Sequence, residues 1–189
     1  AQASAFIPVG LEGMKNPAPD SAATAFQRNI IALSAVGVDA TSVPDGGGVY
    51  DALDAMAQKV TAASPVNVQA FTLLAYASNA YEVPVDAKLS EDALISVLCG
   101  SQLSDGGFSY SGSKADADMT AMVITALSPY ASNDAAVRNV VNRALNALKG
   151  LQHDDGVLER PGSALIPAPI PIPPRWPLSL CAPPVSTLP

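Results

Sequence analysis

The feature that most constrains this chain is a helical pattern that returns at intervals of about fifty residues. Between residues 20 and 150, apolar side chains recur with the spacing of amphipathic helices. The first, third and fifth of these helices begin at residues whose side-chain oxygens can cap a helix: Asp20, Asn67 and Asp118. Because each interval holds two helices, the pattern predicts an all-α fold of tandem helical hairpins that bury their apolar faces against one another. The six predicted helices span residues 20–36, 49–62, 66–78, 90–101, 118–130 and 133–150.

A second motif repeats at the same interval, at the ends of the fourth and sixth predicted helices. In each copy a glutamine is followed four residues later by a glycine, and two residues further on by a large apolar residue. The motif residues are Gln102, Gly106, Gly107 and Phe108 in the first copy and Gln152, Gly156 and Leu158 in the second. Glycine permits the positive φ of a helix stop, and a glutamine amide can bond the carbonyl groups left open where a helix ends. We therefore predict two equivalent turns in which the apolar residue folds back as a plug.

Residues 102–108 resemble the QW-type motif of the prenyltransferase and squalene-cyclase repeats, with Phe108 in place of tryptophan. The segment 116–121 is similar to the start of the inner helix that follows this motif. The resemblance covers about residues 18–158 and implies a partial α/α toroid, with the odd-numbered predicted helices inside and the even-numbered ones in an outer ring. Similar toroids occur in cyclases, prenyltransferases, complement thioester domains, cobalamin carriers and non-enzymatic bacterial surface proteins. The fold alone therefore does not choose a function.

The composition divides the chain into an N-terminal extension (1–17), a repeat domain (18–156) and a proline-rich tail (157–189). Ten of the seventeen prolines and the only tryptophan fall in the tail, where no helix can continue. One interpretation is a polyproline linker or stalk. The other is a frameshifted, disordered remnant of a fourth inner helix, because the codons shifted by one base admit a string similar to residues 30–40. On that hypothesis the domain is truncated, and it would pair with the missing repeats of its own parent chain.

Charge and hydropathy narrow the range of partners. The formal net charge of −7 argues against nucleic acid and anionic membrane surfaces, which both select basic proteins. No apolar run approaches the roughly 18 residues of a membrane-spanning helix, so we expect no membrane insertion. The chain begins at Ala1 without an initiator methionine, which suits either a processed precursor or a trimmed chain. On the first interpretation we expect an extracellular or cell-surface location.

Two carboxylates form the best catalytic candidate. Asp116 and Asp118 resemble part of the D-x-D-D motif of class II terpene cyclases, in which the central aspartate, here Asp118, protonates an alkene. Such an acid has to remain protonated in an apolar site. In this chain Met119 replaces the final aspartate, and only 5% of the residues are aromatic, although the cationic intermediates of cyclases need aromatic faces. We interpret Asp118 as a helix cap rather than an acid.

Other catalytic chemistry has less support. A zinc site needs about three ligands, and His153, the only histidine, lies in a polar turn with no cluster around it. Cys99 falls in an apolar helical run and is interpreted as a buried free thiol, while Cys181 lies in the tail. We therefore predict no metal and no cofactor, and cobalamin is the one ligand that the resemblance suggests.

The sequence thus predicts a non-catalytic module of an exported or cell-surface protein that binds or scaffolds an unknown protein or small molecule. One alternative hypothesis is a fragment of a class II terpene-cyclase-like enzyme that uses Asp118 as its general acid, and the other is a truncated product with no independent function.

Overall fold

The computed structural model describes residues 2–16, 24–154, 156 and 158, and over these residues the chain is mainly helical. The described residues form seven helices: α1 (Gln2–Lys15), α2 (Ala25–Ala35), α3 (Ala52–Ala57), α4 (Val66–Ala77), α5 (Glu91–Gly100), α6 (Ala117–Leu127) and α7 (Ala135–Gly150). One small antiparallel hairpin of two strands, β1 (Val43–Asp45) and β2 (Gly48–Tyr50), lies between α2 and α3. The prediction of a mainly helical fold is confirmed. The prediction for residues 157–189 lies outside the described residues apart from Leu158.

The helices form hairpins arranged side by side. Helix α4 packs against both α2 and α6, so these three helices form a central row. Helices α3, α5 and α7 pack against α2, α4 and α6 respectively, each on the helix that precedes it. The buried core lies between the two sets of helices and includes Ile30, Leu73 and Val123 from the central row. The first, third and fifth predicted helices are therefore the ones that pack against one another.

The N-terminal segment contains a helix that the sequence pattern did not predict. Helix α1 packs against α2 and against β1, and it buries Leu11 and Met14. Pro8 lies inside this helix, where a proline removes one backbone hydrogen bond and so weakens the local preference for helix. The contacts with α2 and β1 hold α1 in place, and Lys15 forms an ion pair with Asp45, the last residue of β1.

The predicted helix over residues 49–62 is wrong at both ends, because α3 covers only Ala52–Ala57. Gly46 and Gly47 both adopt positive φ, 55° and 105°, as the central residues of a two-residue strand connection require. The chain therefore turns back through β2 before α3 begins. The carboxylate of Asp51 accepts a hydrogen bond from Asp54 N at 2.8 Å and starts a helix of only six residues.

The predicted helix caps also need correction. Asp20 lies outside the described residues. Helix α4 begins after Pro65, and Asn67 lies in its first turn rather than at its cap. Helix α6 is capped by Asp116, whose carboxylate accepts a hydrogen bond from Met119 N at 2.7 Å, whereas Asp118 is exposed in the first turn. The cap lies at Asp116 because its backbone N–H is bonded to Phe108 O at 2.9 Å, which holds the residue in extended backbone.

Candidate functional site

The turn after α5 contains the first copy of the glutamine motif and joins two hairpins. The Nε2 atom of Gln102 donates to Gly106 O at 2.8 Å within the turn and to Val140 O at 2.8 Å in α7. The prediction that this amide bonds the open end of its own helix is therefore wrong. Near the end of α5, the carbonyl groups of Val97, Leu98 and Cys99 are already bonded by backbone N–H groups of the turn. The amide is left to connect the hairpin of α4 and α5 to the hairpin of α6 and α7.

Two glycines allow the turn to touch the next hairpin. Gly106 has a φ of +92°, and a Cβ added there would lie 3.0 Å from Arg143 O in α7. A Cβ on Gly107 would lie only 2.3 Å from the Cβ of Ala115. The motif glycines are thus needed both for the turn and for close approach to the segment that leads into α6.

Phe108 forms the plug that the sequence predicts. Its side chain is 0% exposed, so it is fully enclosed in the core. Its backbone N–H donates to Thr120 Oγ1 at 3.0 Å, and the Thr120 hydroxyl donates to Phe108 O at 3.2 Å. Both backbone groups of Phe108 are therefore satisfied by α6 and its cap, which locks the turn to the next central helix.

Asp105 is a turn residue that the motif prediction missed. Its carboxylate accepts hydrogen bonds from Ala115 N at 2.8 Å and from Gly107 N at 3.1 Å. The bond from Ala115 is the main reason that the pKa of Asp105 lies below its ordinary value, although partial burial acts in the opposite direction. An aspartate two residues before a glycine is typical of an Asx turn, and that is the signal which could have identified it.

The hydrogen bonds that Asp105 accepts from Ala115 N and Gly107 N predict that the stability of the fold depends on pH. Because the pKa of Asp105 is lower in the folded protein than its ordinary value of 3.8, the charged carboxylate stabilises the fold above that pH. This contribution is lost as the pH falls through the folded pKa. We expect Asp105→Asn to be less stable than the wild type at about pH 7, with the difference shrinking by about pH 3 in urea unfolding. Equal differences at both pH values would show that the charge does not contribute.

The second copy of the motif forms the same turn. Gln152 Nε2 donates to Gly156 O at 3.1 Å, and Gly156 has a φ of +84°. Gly156 N donates to His153 O at 2.8 Å, just as Gly106 N donates to Leu103 O at 2.9 Å. The described residues of the two turns thus share these hydrogen bonds and a glycine at positive φ. The predicted plug at Leu158 is wrong, because that residue is 42% exposed and no described helix follows to cover it.

A cavity of about 510 Å³ lies between α5 and α7. Its lining mixes polar and apolar side chains, among them Ile95, Cys99, Asp134 and Val140. Burial raises the pKa of the Cys99 thiol, and the nearby Asp134 carboxylate raises it further. At neutral pH this free cysteine is a thiol rather than a nucleophilic thiolate. Cys181 lies outside the described residues.

The side chain of Tyr130 borders the same cavity and bonds across to α5. Its hydroxyl group donates to Glu91 Oε1 at 2.6 Å. Burial is the main cause that raises the pKa of Tyr130 above its ordinary value, and the bond to Glu91 adds to it. The phenol therefore remains protonated and acts as a structural tie between the two hairpins.

The predicted acids and the histidine do not come together in a site. Asp116 serves as the cap of α6, Asp118 is exposed on the first turn, and His153 lies in the turn after α7. Within the described ranges, no group of three or more His, Cys, Asp or Glu side chains is arranged to hold a metal ion.

None of the helices described here is long and apolar enough to cross a membrane.

Comparison with protein-family models, curated proteins and solved structures finds no match to this chain.

Proposed function

We propose that residues 18–156 belong to an α/α-toroid repeat domain of an exported or cell-surface protein, and that the domain is a non-catalytic binding or scaffolding module. The observation that carries this proposal is the bond from Gln102 Nε2 to Val140 O, which joins neighbouring hairpins through the repeated motif. Arrays built from such links are stiff and extended, and they expose a continuous surface to partners. The central row of α2, α4 and α6 corresponds to the inner helices of the proposed toroid, and α3, α5 and α7 correspond to its outer ring.

The position of Asp118 favours the module over the enzyme. An acid that protonates an alkene needs surroundings that keep it neutral, which means an apolar and largely enclosed site. Asp118 is exposed in the first turn of α6. The neighbouring carboxylate of Asp116 is engaged by the N–H of Met119 and fills a structural role.

The enzyme alternative is tested with a polyprenyl substrate. We expect that neither the wild-type protein nor Asp118→Asn converts squalene or geranylgeranyl diphosphate to a cyclised product in a mass-spectrometric assay. Asp116→Asn is the matched control, because asparagine also caps helices and the change leaves Asp118 in place. Cyclisation by the wild type and by Asp116→Asn, with loss of product in Asp118→Asn, would overturn the non-catalytic proposal.

Cobalamin is the small-molecule ligand that the resemblance to carrier toroids brings forward. Carriers of that type hold the ligand between the toroid and a second domain. Titration of the protein into cobalamin, followed through the visible absorption spectrum, distinguishes this version from a module that binds proteins. A saturable spectral change would establish the ligand, and an unchanged spectrum would direct the search to protein partners.

A further inference from the structure

A small cavity lies between the first turns of α2 and α4 and the end of α3. Its volume is about 170 Å³, and its walls are mainly buried apolar side chains, namely Phe26, Met56, Val60 and Val68. Lys59 and Pro65 also line it and are exposed, so the cavity is open to solvent on their side. An apolar cavity of about 150 Å³ accommodates a benzene ring. This cavity, which we call the Gln27 cavity after the amide that lines it, is therefore large enough for a six-membered ring.

The amide of Gln27 has a fixed orientation in the wall of the cavity. The residue is 2% exposed, and its Nε2 atom donates to Thr72 Oγ1 at 3.0 Å. The Thr72 hydroxyl donates its one hydrogen to Val68 O at 2.7 Å. Thr72 Oγ1 can therefore only accept from Gln27, which places Nε2 rather than Oε1 beside it. No described residue donates a hydrogen bond to Gln27 Oε1, although this oxygen is buried.

The free oxygen of Gln27 points to an occupant that carries a donor. A buried acceptor without a partner is unfavourable, and most such groups in folded proteins are bonded by protein or by another molecule. The buried side-chain oxygens of Asn67 and Gln69 also have no described partner, but neither residue lines this cavity. An O–H or N–H group on the inner end of an occupant would satisfy Gln27 Oε1.

The open side of the cavity carries a positive charge. The ammonium group of Lys59 lies 5.5 Å from the centre of the Phe26 ring, which holds the charge beside the cavity. No described carboxylate forms an ion pair with Lys59. Ser64 also lines the cavity; its Oγ atom accepts from Thr61 N at 3.0 Å, and no described acceptor takes its hydroxyl hydrogen. An ammonium group and a hydroxyl group together suit a carboxylate.

The starts of two helices favour negative charge at the same place. Helices α2 and α4, of 11 and 12 residues, begin at the cavity. Neither of their cap residues, Thr24 and Pro65, makes a side-chain hydrogen bond to its helix. The positive end of a helix dipole stabilises a nearby anion. The Gln27 cavity thus combines an acceptor on its inner wall, an apolar middle and a positive open side.

We infer that the Gln27 cavity binds a small aromatic carboxylate with a hydroxyl group at the opposite end of its ring, of the 4-hydroxybenzoate type. Lys59 and Ser64 bind the carboxylate at the open side. The ring packs against Phe26 and Met56, and the hydroxyl group donates to Gln27 Oε1. A rigid ring loses less conformational entropy on binding than a flexible chain. This inference rests on the proposed function, because it names a ligand class for the binding module.

Isothermal titration calorimetry of the full chain tests the ligand class. At about pH 7 the carboxylate of 4-hydroxybenzoate is ionised and its phenol is neutral. We expect saturable binding with a Kd below about 1 mM, which is within the usual range for a ligand of about ten non-hydrogen atoms. Benzoate lacks the donor and should bind at least about fivefold more weakly. 4-Hydroxybenzamide lacks the charge and should be weakened by a similar factor.

Two substitutions test the two ends of the cavity separately. Gln27→Met keeps the length of the side chain but removes the acceptor, so benzoate and 4-hydroxybenzoate should bind this variant with equal affinity. Lys59→Met keeps the apolar stem and should weaken both ligands by at least about fivefold. Lys149→Met removes an exposed lysine from α7 and is the matched control, which should change neither affinity.

Three results would overturn the inference. The first is no saturable binding of 4-hydroxybenzoate to the wild type up to about 10 mM. The second is equal affinity of the wild type for benzoate and 4-hydroxybenzoate, a comparison that needs no variant and so does not depend on the folding of Gln27→Met. The third is an equal loss of affinity in Lys59→Met and Lys149→Met. A protein that fails these tests and also fails to cyclise polyprenyl substrates would contradict this inference but leave the proposed function standing.

Discussion

Gly107→Ala is expected to destabilise the fold by about 2–3 kcal/mol, as overpacking of a well-filled core does. The added Cβ would lie 2.3 Å from the Cβ of Ala115 and 3.0 Å from Thr120 Oγ1. Ala115 is held by its bond to Asp105, and Thr120 is bonded to both backbone groups of Phe108. The groups that would have to move are thus the ones that join the turn to α6. Urea unfolding followed by circular dichroism measures the loss.

Gly100→Ala provides the matched control. Gly100 is the last residue of α5, and a Cβ added there meets nothing within 4 Å. Alanine is favoured over glycine in a helix by up to about 1 kcal/mol, so this variant should be neutral or slightly more stable than the wild type. Equal losses in the two variants would mean that close packing at Gly107 is not the cause.

Phe108→Ala is expected to cost about 3–5 kcal/mol, the range for truncation of a fully buried aromatic residue. The phenylalanine is 0% exposed, and its removal leaves a cavity where the turn meets α6. The expected result is a large drop in the unfolding midpoint, because Phe108 helps to join the hairpin of α4 and α5 to the hairpin of α6 and α7.

Leu158→Ala tests the same motif position in a different environment. Leu158 stands 50 residues after Phe108 but is 42% exposed. We expect it to change stability by no more than about 1 kcal/mol, as is usual for exposed side chains. A loss as large as that of Phe108→Ala would contradict the exposed position of Leu158.

Much of the repeat could be predicted from the sequence because its signals are local. The spacing of apolar residues in α7 and the glycines of the two turns determine the structure of the chain over only a few neighbouring residues. Their effect is therefore the same in any fold. For the same reason the Gln102 and Gln152 turns share one geometry. Prediction from local preference failed where contacts with distant residues outweigh that preference. Helix α1, for example, continues through Pro8 because it packs against α2.

The candidate site shows the limit of local reasoning. Asp116 and Asp118 are both good caps by type, and the backbone bond from Asp116 to Phe108 selects the first of them. The amide of Gln102 could bond carbonyl groups of residues close to it in sequence, yet one of its partners lies 38 residues away in α7. Neither outcome follows from spacing, because both depend on which segments the fold brings side by side.

The sequence by itself determined the helical hairpins, their interval and the two glycine turns, since these follow from periodicity and backbone freedom. Only the tertiary structure decided which copy of the motif is buried. Phe108 and Leu158 stand at equivalent positions, but α6 and its cap cover the first, whereas no described helix follows the second. Burial is a property of neighbours rather than of a residue, and this is why the same motif forms a core plug in one turn and an exposed edge in the other.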